Sequence, residues 1–338
     1  MIRFAEFVWE ESPSPFWTML KQIGVNEVVG VLPRRHMDWR RANIDRPWDY
    51  APLAVYQEML EEEGLHLAAI EDNPPMENLR FGTAGAEEEF EQICRLIENM
   101  GKLDIPVWCY NWAAALGWQR TSSRLRGRGG AIVSGFNYRL IQSAPPPIRG
   151  SVDAETLWQT LALFLQRIIP VAEKAGVRLA MHPDDPPVIS QIRGVSRIMN
   201  SVDAFHRLLS LVDSEMNGIT LCQGNFTLMT NNLPGVIREL GSTGRVHFVH
   251  FRDVRGRAEE FVETFIDDGQ TNMLECMRAY RDIGFNGIMR TDHTPTLETD
   301  NAAVAGYSYL ARLHALGYMA GLREAVLSES KKSAAIYE

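Results

Sequence analysis

The stretch SVDAETLWQTLALFLQRIIPVAEKAGVRLAMHPDDPP, residues 151–187, spells out one helix, one strand and the opening of a loop. Ser151-Val-Asp153 offers capping side chains ahead of a run in which Leu157, Leu161, Leu165 and Ile168 recur at helical spacing, which predicts a helix over Ala154–Ala175. Gly176 follows directly, where a residue tolerant of left-handed backbone ends a helix. The run to Met181 then reads as a buried strand over Arg178–His182. Proline disfavours helix at the residue before it, so His182 belongs to the strand's last step and its imidazole is held by rigid backbone. A histidine and two carboxylates, Asp184 and Asp185, thus stand where a buried strand opens into a loop.

Outward from this unit the same alternation recurs. Strands are predicted at Arg3–Val8, Glu27–Leu32, Leu65–Ile70, Pro106–Tyr110, Arg178–His182, Gly218–Cys222, Arg245–Phe251 and Gly287–Thr291. Helical patterns lie between them, at Pro15–Gln22, Leu53–Glu63, Ala86–Asn99, Ala154–Ala175, Val202–Val212, Asn232–Leu240, Asn272–Asp282 and Ala302–Leu316. Gly64 and Gly284 stand at further helix stops. Eight β-α units in 338 residues point to an α/β fold, a closed (β/α)8 or TIM barrel, as a single domain over residues 1–338. The longest connection, residues 111–151, carries Arg120, Arg124, Arg126 and Arg128 among glycines, and a loop of that length suits a lid.

Composition narrows the function. No apolar run of about 18 residues could span a bilayer, and the N-terminal residues lack the basic and apolar regions of a signal peptide, so a cytoplasmic protein without a membrane partner is expected. Cys94, Cys109, Cys222 and Cys276 show no paired spacing, which argues against a disulfide scaffold. A net charge of −9 gives no footprint for nucleic acid. The apolar Phe205, Leu208, Leu209 and Leu211 suit either the core or an interface, and a homo-oligomer of two or more copies is expected.

In such barrels the chemistry sits at the C-terminal ends of the strands. Those ends carry Glu71, Tyr110 and Asn111, His182, Cys222, the pair His247 and His250, and Arg290 with Asp292 and His293. His182, Cys222, one strand-seven histidine and Asp292 form a metal-compatible set. Imidazole, thiolate and carboxylate together fit manganese, iron, cobalt or zinc better than calcium or magnesium. His247 and His250 have opposite parity, so at most one enters the barrel, and His250 lies nearer the strand end. The plainer alternatives are a packed imidazole at His182, a buried apolar thiol at Cys222, a capping Asp292 and a solvated loop histidine at His293.

At these residues the chain resembles the mannonate dehydratases of the xylose-isomerase-like barrel group. The matching segments are Val107-Trp-Cys-Tyr-Asn111, Trp118-Gln-Arg-Thr121, His182-Pro-Asp-Asp-Pro-Pro187, Leu221-Cys-Gln-Gly224, His247-Phe-Val-His-Phe-Arg252, Met289-Arg-Thr-Asp-His293 and Gly306-Tyr-Ser308. The resemblance implies a hydro-lyase using a divalent metal, Mn2+ above all with Fe2+, Co2+ or Zn2+ open, that converts D-mannonate or a related sugar acid to a 2-keto-3-deoxy acid in glucuronate catabolism. It implies His182, Cys222, His250 (or His247) and Asp292 as metal ligands, His293 and Tyr307 as acid and base, and Arg290 as a substrate-holding group. Asn111, Trp118 and Arg120 are then expected to face the substrate, with Asp184 and Asp185 either facing it or supporting the groups that do.

Departures from the family's pattern cluster near the expected mouth: Thr291 replaces a proline, Thr294 a glycine, Asn225 a serine and Gly117 an aspartate. The segment containing Arg34, Arg35, His36, Arg40 and Arg41 is also unlike the family and suits either carboxylate binding or a solvated loop. Two other functions remain open at this level: a sugar isomerase or epimerase on the same barrel, and a non-catalytic sugar-acid-binding relative.

Overall fold

The computed structural model describes residues 2–34, 45–188, 191–300 and 305–334. Its strands are β1 (Arg3–Phe7), β2 (Glu27–Gly30), β3 (His66–Glu71), β4 (Val107–Tyr110), β5 (Ser122–Arg126), β6 (Ile132–Asn137), β7 (Arg178–Met181), β8 (Asn217–Cys222), β9 (Val246–His250), β10 (Val254–Arg257), β11 (Glu260–Glu263) and β12 (Ile288–Arg290). Eight of them close a parallel barrel in the order β1, β2, β3, β4, β7, β8, β9, β12, with β12 pairing back to β1. All eight barrel strands fall on the segments read from the sequence.

Period-2 alternation sorts the side chains into two cores. Along β4, Val107 and Cys109 join the inner cluster with Ala5, Ala180 and Phe248, whereas Trp108 and Tyr110 pack outward under the helices. The helix Ala154–Ala175 buries Leu157, Leu161, Leu165 and Ile168 in that outer core. Asp153 accepts from the Thr156 amide at 2.8 Å to start it, and Gly176, with φ +71°, ends it. Phe205, Leu208 and Leu209 are buried in the same core, with Leu211 packed against it, which withdraws them as an interface.

Glu6, fully buried on β1, fastens the barrel's closing seam. Its carboxylate accepts from Arg312 at 2.8 and 3.1 Å and from the Thr291 hydroxyl at 2.5 Å. Thr291 therefore has a structural use that a proline at that position could not provide.

Several segments read as connections carry structure, among them short helices at Glu77–Phe81 and Gln223–Met229. β5 and β6, in the 111–151 connection, join β10 and β11, which follow β9, in an antiparallel sheet of order β10-β11-β6-β5. Its small core is Phe136, Val188, Ile192, Val254 and Phe261. The last helix spans Tyr309–Ala334 instead of starting at residue 302. Gly306 has φ +92°, which a helix cannot contain, and residues 301–304 lie outside the described residues. Tyr307 is thereby left in a connection over the mouth.

Candidate active site at the mouth of the barrel

Strand parity delivers the site. With Phe248 inward on β9, His250 also points inward, and His247 packs on the opposite side of the strand against Gly218. The C-terminal ends of the barrel strands surround a cavity of about 380 Å³ lined by Glu71, Asn111, Trp118, His182, Asp185, His250, Asp292, His293 and Tyr307, among others. That volume lies in the range of about 300–1,000 Å³ usual for small-molecule sites.

At its floor are His182 and His250, with Cys222 fully buried beside them, and the ligand atoms of the three all lie within 4.8 Å of one another. The His182 Nε2 atom faces His250 Nδ1 at 3.2 Å. Asp292 adjoins this group, with Oδ2 3.6 Å from His250 Nδ1 and 3.9 Å from Cys222 Sγ. Burial alone raises the Cys222 thiol, but Arg252 and His182 outweigh it and bring it down to about 6. A thiol that ionises below neutrality, beside two imidazoles and a carboxylate, is a donor set that fits a divalent transition metal.

Above this floor stand His293 and Tyr307. His293 has φ +41°, an unusual backbone for a residue with a side chain, and its ring stacks on Trp118 at 5.2 Å. Burial, with Arg252 and Arg120 nearby, pushes its imidazole down to about 3, so it is neutral, and its Nδ1 atom has no hydrogen-bond partner. The Tyr307 hydroxyl donates to Asp292 Oδ1 at 3.0 Å; burial and that carboxylate hold the phenol well above its ordinary value. The phenol thus keeps its proton in this arrangement.

Three residues expected at or near the substrate stand off the cavity. Arg120, Asp184 and Arg290 are not among the residues lining the cavity. The Arg120 guanidinium is buried against Asp185 at 2.5 Å and against Glu263. Asp184 accepts from the Met199 amide at 2.7 Å and lies 3.4 Å from Arg197, bracing the loop after β7. Arg290 is clamped by Glu71 at 2.7 and 2.9 Å and reaches Asp292 at 3.2 Å. Each of these charged groups is paired with a buried partner. Arg34 pairs with Asp72, while Arg35, His36, Arg40 and Arg41 lie outside the described residues.

Sequence reasoning missed Arg252 as a member of the site. Its guanidinium lies 2.8 Å from Asp292, 2.9 Å from Asp185 and 2.8 Å from Glu263, and donates to Asn225 at 2.9 Å. Its place two residues past His250 was the available signal, since parity puts it on the same side. Glu263 carried no signal, because β11 was unread.

The closed barrel and this polar mouth define a (β/α)8 protein with a cavity of small-molecule size at its strand ends. The same barrel is seen in a structure of L-ribulose 3-epimerase, with a TM-score of 0.62 and 14% identity over 98% of each chain. The D-mannonate dehydratase (UxuA) family model matches residues 6–147 and 148–333. The mannonate dehydratase of Thermotoga maritima is 31% identical, with 93% of this chain and 94% of the relative covered. That of Enterococcus faecalis is 32% identical, covering 84% and 88%. The crystal structure of mannonate dehydratase from Streptococcus suis serotype 2 superposes with a TM-score of 0.87 at 27% identity, over 98% of this chain and 95% of that one. The chain belongs to the mannonate dehydratase family and is a carbon–oxygen lyase of the hydro-lyase type.

Proposed function

We propose that this chain is a divalent-metal-dependent sugar-acid dehydratase, acting on D-mannonate or a related aldonate in the cytoplasm and releasing a 2-keto-3-deoxy acid and water. The observation that carries this reading is the meeting of His182, His250 and the buried Cys222 beside Asp292, at the cavity that His293 also lines. Those four side chains would hold the metal, most readily Mn2+, with Fe2+, Co2+ and Zn2+ compatible with the same donors. When bound, such an ion supplies Lewis acidity that stabilises charge developing on the carboxylate end of the substrate.

The protein's own residues account for the proton movements. Neutral His293 can take the proton from C2. The hydroxyl leaving C3 needs a proton to depart as water, and the Tyr307 hydroxyl holds one. Loss of one proton from C2 and one hydroxyl from C3 gives an enol, which becomes the 2-keto-3-deoxy product. The exposed face of Trp118, stacked on His293, offers an apolar wall for a sugar chain.

The departures from the family pattern bear on the substrate. Asn225, Thr291 and Thr294 are buried and do not line the cavity, whereas Gly117 does. Three of four departures therefore act on support groups, which favours a substrate close to that of the relatives. All four cysteines are free, and no described helix is long and apolar enough to cross a membrane, both compatible with a cytoplasmic setting.

The test is to strip the protein with a chelator, reload it with Mn2+ and assay a panel of hexonates for 2-keto-3-deoxy acid. Product from mannonate or a close relative is expected. Deuterium uptake at C2 from heavy water with no dehydration, on any acid of the panel, would instead favour an epimerase.

A further inference from the structure

A second group able to hold a metal overlaps the first. Glu71, Cys109 and His250 also bring ligand atoms within 4.8 Å of one another, so His250 belongs to both groups. Its two ring nitrogens face different partners. The Nδ1 atom looks toward His182 and Asp292, at 3.2 and 3.6 Å. The Nε2 atom is buried without a well-directed hydrogen bond, yet stands 3.3 Å from Glu71 Oε2.

The Glu71 carboxylate is already engaged as an acceptor. Arg290 grips both of its oxygens, donating from Nη2 at 2.7 Å and from Nε at 2.9 Å. A cation in the second group would have to displace that guanidinium, which is itself buried, and leave its charge without its bidentate partner. Cys109 is also engaged, with its sulfur 3.1 Å from the Thr220 hydroxyl. On the other side Asp292 is shared with Arg252 at 2.8 Å and Arg290 at 3.2 Å, but it is held by one bond from each and not by a two-pronged grip from one guanidinium. One edge of His250 is thus available to a metal and the other to a carboxylate.

Resting on the metal-dependent reading above, we propose that Glu71 is a positioning residue for the metal centre, its carboxylate accepting the Nε2–H of His250 so that Nδ1 presents its lone pair to the ion. A ligating histidine commonly donates its other ring N–H to a carboxylate, which fixes the tautomer and the ring's orientation. Glu71 acts on a second ligand through Arg290, whose Nη1 donates to Asp292 Oδ1 at 3.2 Å. One carboxylate at the end of β3 thereby sets the aim of two ligands from β9 and the loop after β12.

The experiment measures Co2+ binding to the chelator-stripped full chain by visible absorption and by competition with an indicator, and needs no turnover. Wild type should show a thiolate-to-cobalt band that is lost in Cys222→Ser. Glu71→Ala should bind Co2+ about 10–100-fold more weakly, and Glu71→Met, which fills the volume, serves where the alanine variant does not fold. Glu71→Gln should fall between wild type and alanine, because its amide oxygen can accept the same N–H while its amide nitrogen gives up one bond from Arg290. Wild-type affinity in the alanine and methionine variants would overturn the assignment, as would a glutamine variant as weak as alanine. A wild-type protein with no Cys222-dependent band would instead remove the metal reading itself, and the positioning role with it.

Discussion

Replacing Arg252 with methionine removes a guanidinium shared by Asp185, Asn225, Glu263 and Asp292, at distances of 2.8 to 2.9 Å. The side chain is 3% exposed, so solvent cannot take over its charge. Removing one partner of a buried ion pair costs roughly 3–5 kcal/mol, because the remaining charge is left uncompensated. Here three carboxylates lose one partner, but Arg120 still holds Asp185 and Glu263, and Arg290 still reaches Asp292. The lower end applies, about 3 kcal/mol. Urea unfolding monitored by tryptophan fluorescence should show that loss as a lower midpoint.

The same variant has an independent readout at Cys222. Burial raises this thiol, and Arg252 is the foremost cation pulling it down to about 6. In wild type without added metal, thiolate absorbance near 240 nm should grow as pH rises through about 6. Only Cys222 should titrate there, since burial raises Cys109, Cys94 to about 11 and Cys276 to about 12. In Arg252→Met the midpoint should move upward. A stability loss below about 1 kcal/mol, the worth of an exposed pair, together with a thiolate still forming near 6, would refute the view of Arg252 as the hub of the site.

Three further outcomes are expected. His293→Gln should lower kcat by about 10²–10⁴-fold, the usual contribution of a general base, and leave Co2+ affinity unchanged in the same chelator competition. Gly306→Ala introduces a Cβ at φ +92° and 3.1 Å from His293 Nδ1; thermal melting should show a cost of roughly 1–3 kcal/mol, and kcat should fall as His293 is displaced. Asp184→Asn and Asp185→Asn should separate: the former weakens a buried brace by about 1–3 kcal/mol with KM unchanged, whereas the latter, on the cavity wall, should raise KM in steady-state kinetics.

The site was legible wherever one residue's position along a strand was enough to place it. His182 before Pro183, Cys222 at the end of β8 and His250 at even spacing from Phe248 all follow from strand ends and parity. Arg120, Asp184 and Arg290 stand off the cavity for a single reason. Each is a charged side chain near the mouth, and sequence shows the charge without the buried partner that neutralises it.

By itself the sequence determined the eight-stranded barrel, because apolar periodicity and helix stops are local, and it determined which strand ends carry ligand-type side chains. Only the tertiary structure decided which of those side chains are free. Arg252 meets Asp185 across 67 positions and Arg290 meets Glu71 across 219. It also decided that the connection after β4 and the one after β9 meet in a single sheet, since pairing between β6 and β11 depends on partners more than a hundred residues apart. Local patterns fix where a side chain points along its own strand, while the distances that decide whether its charge is spent or available arise only when the barrel closes.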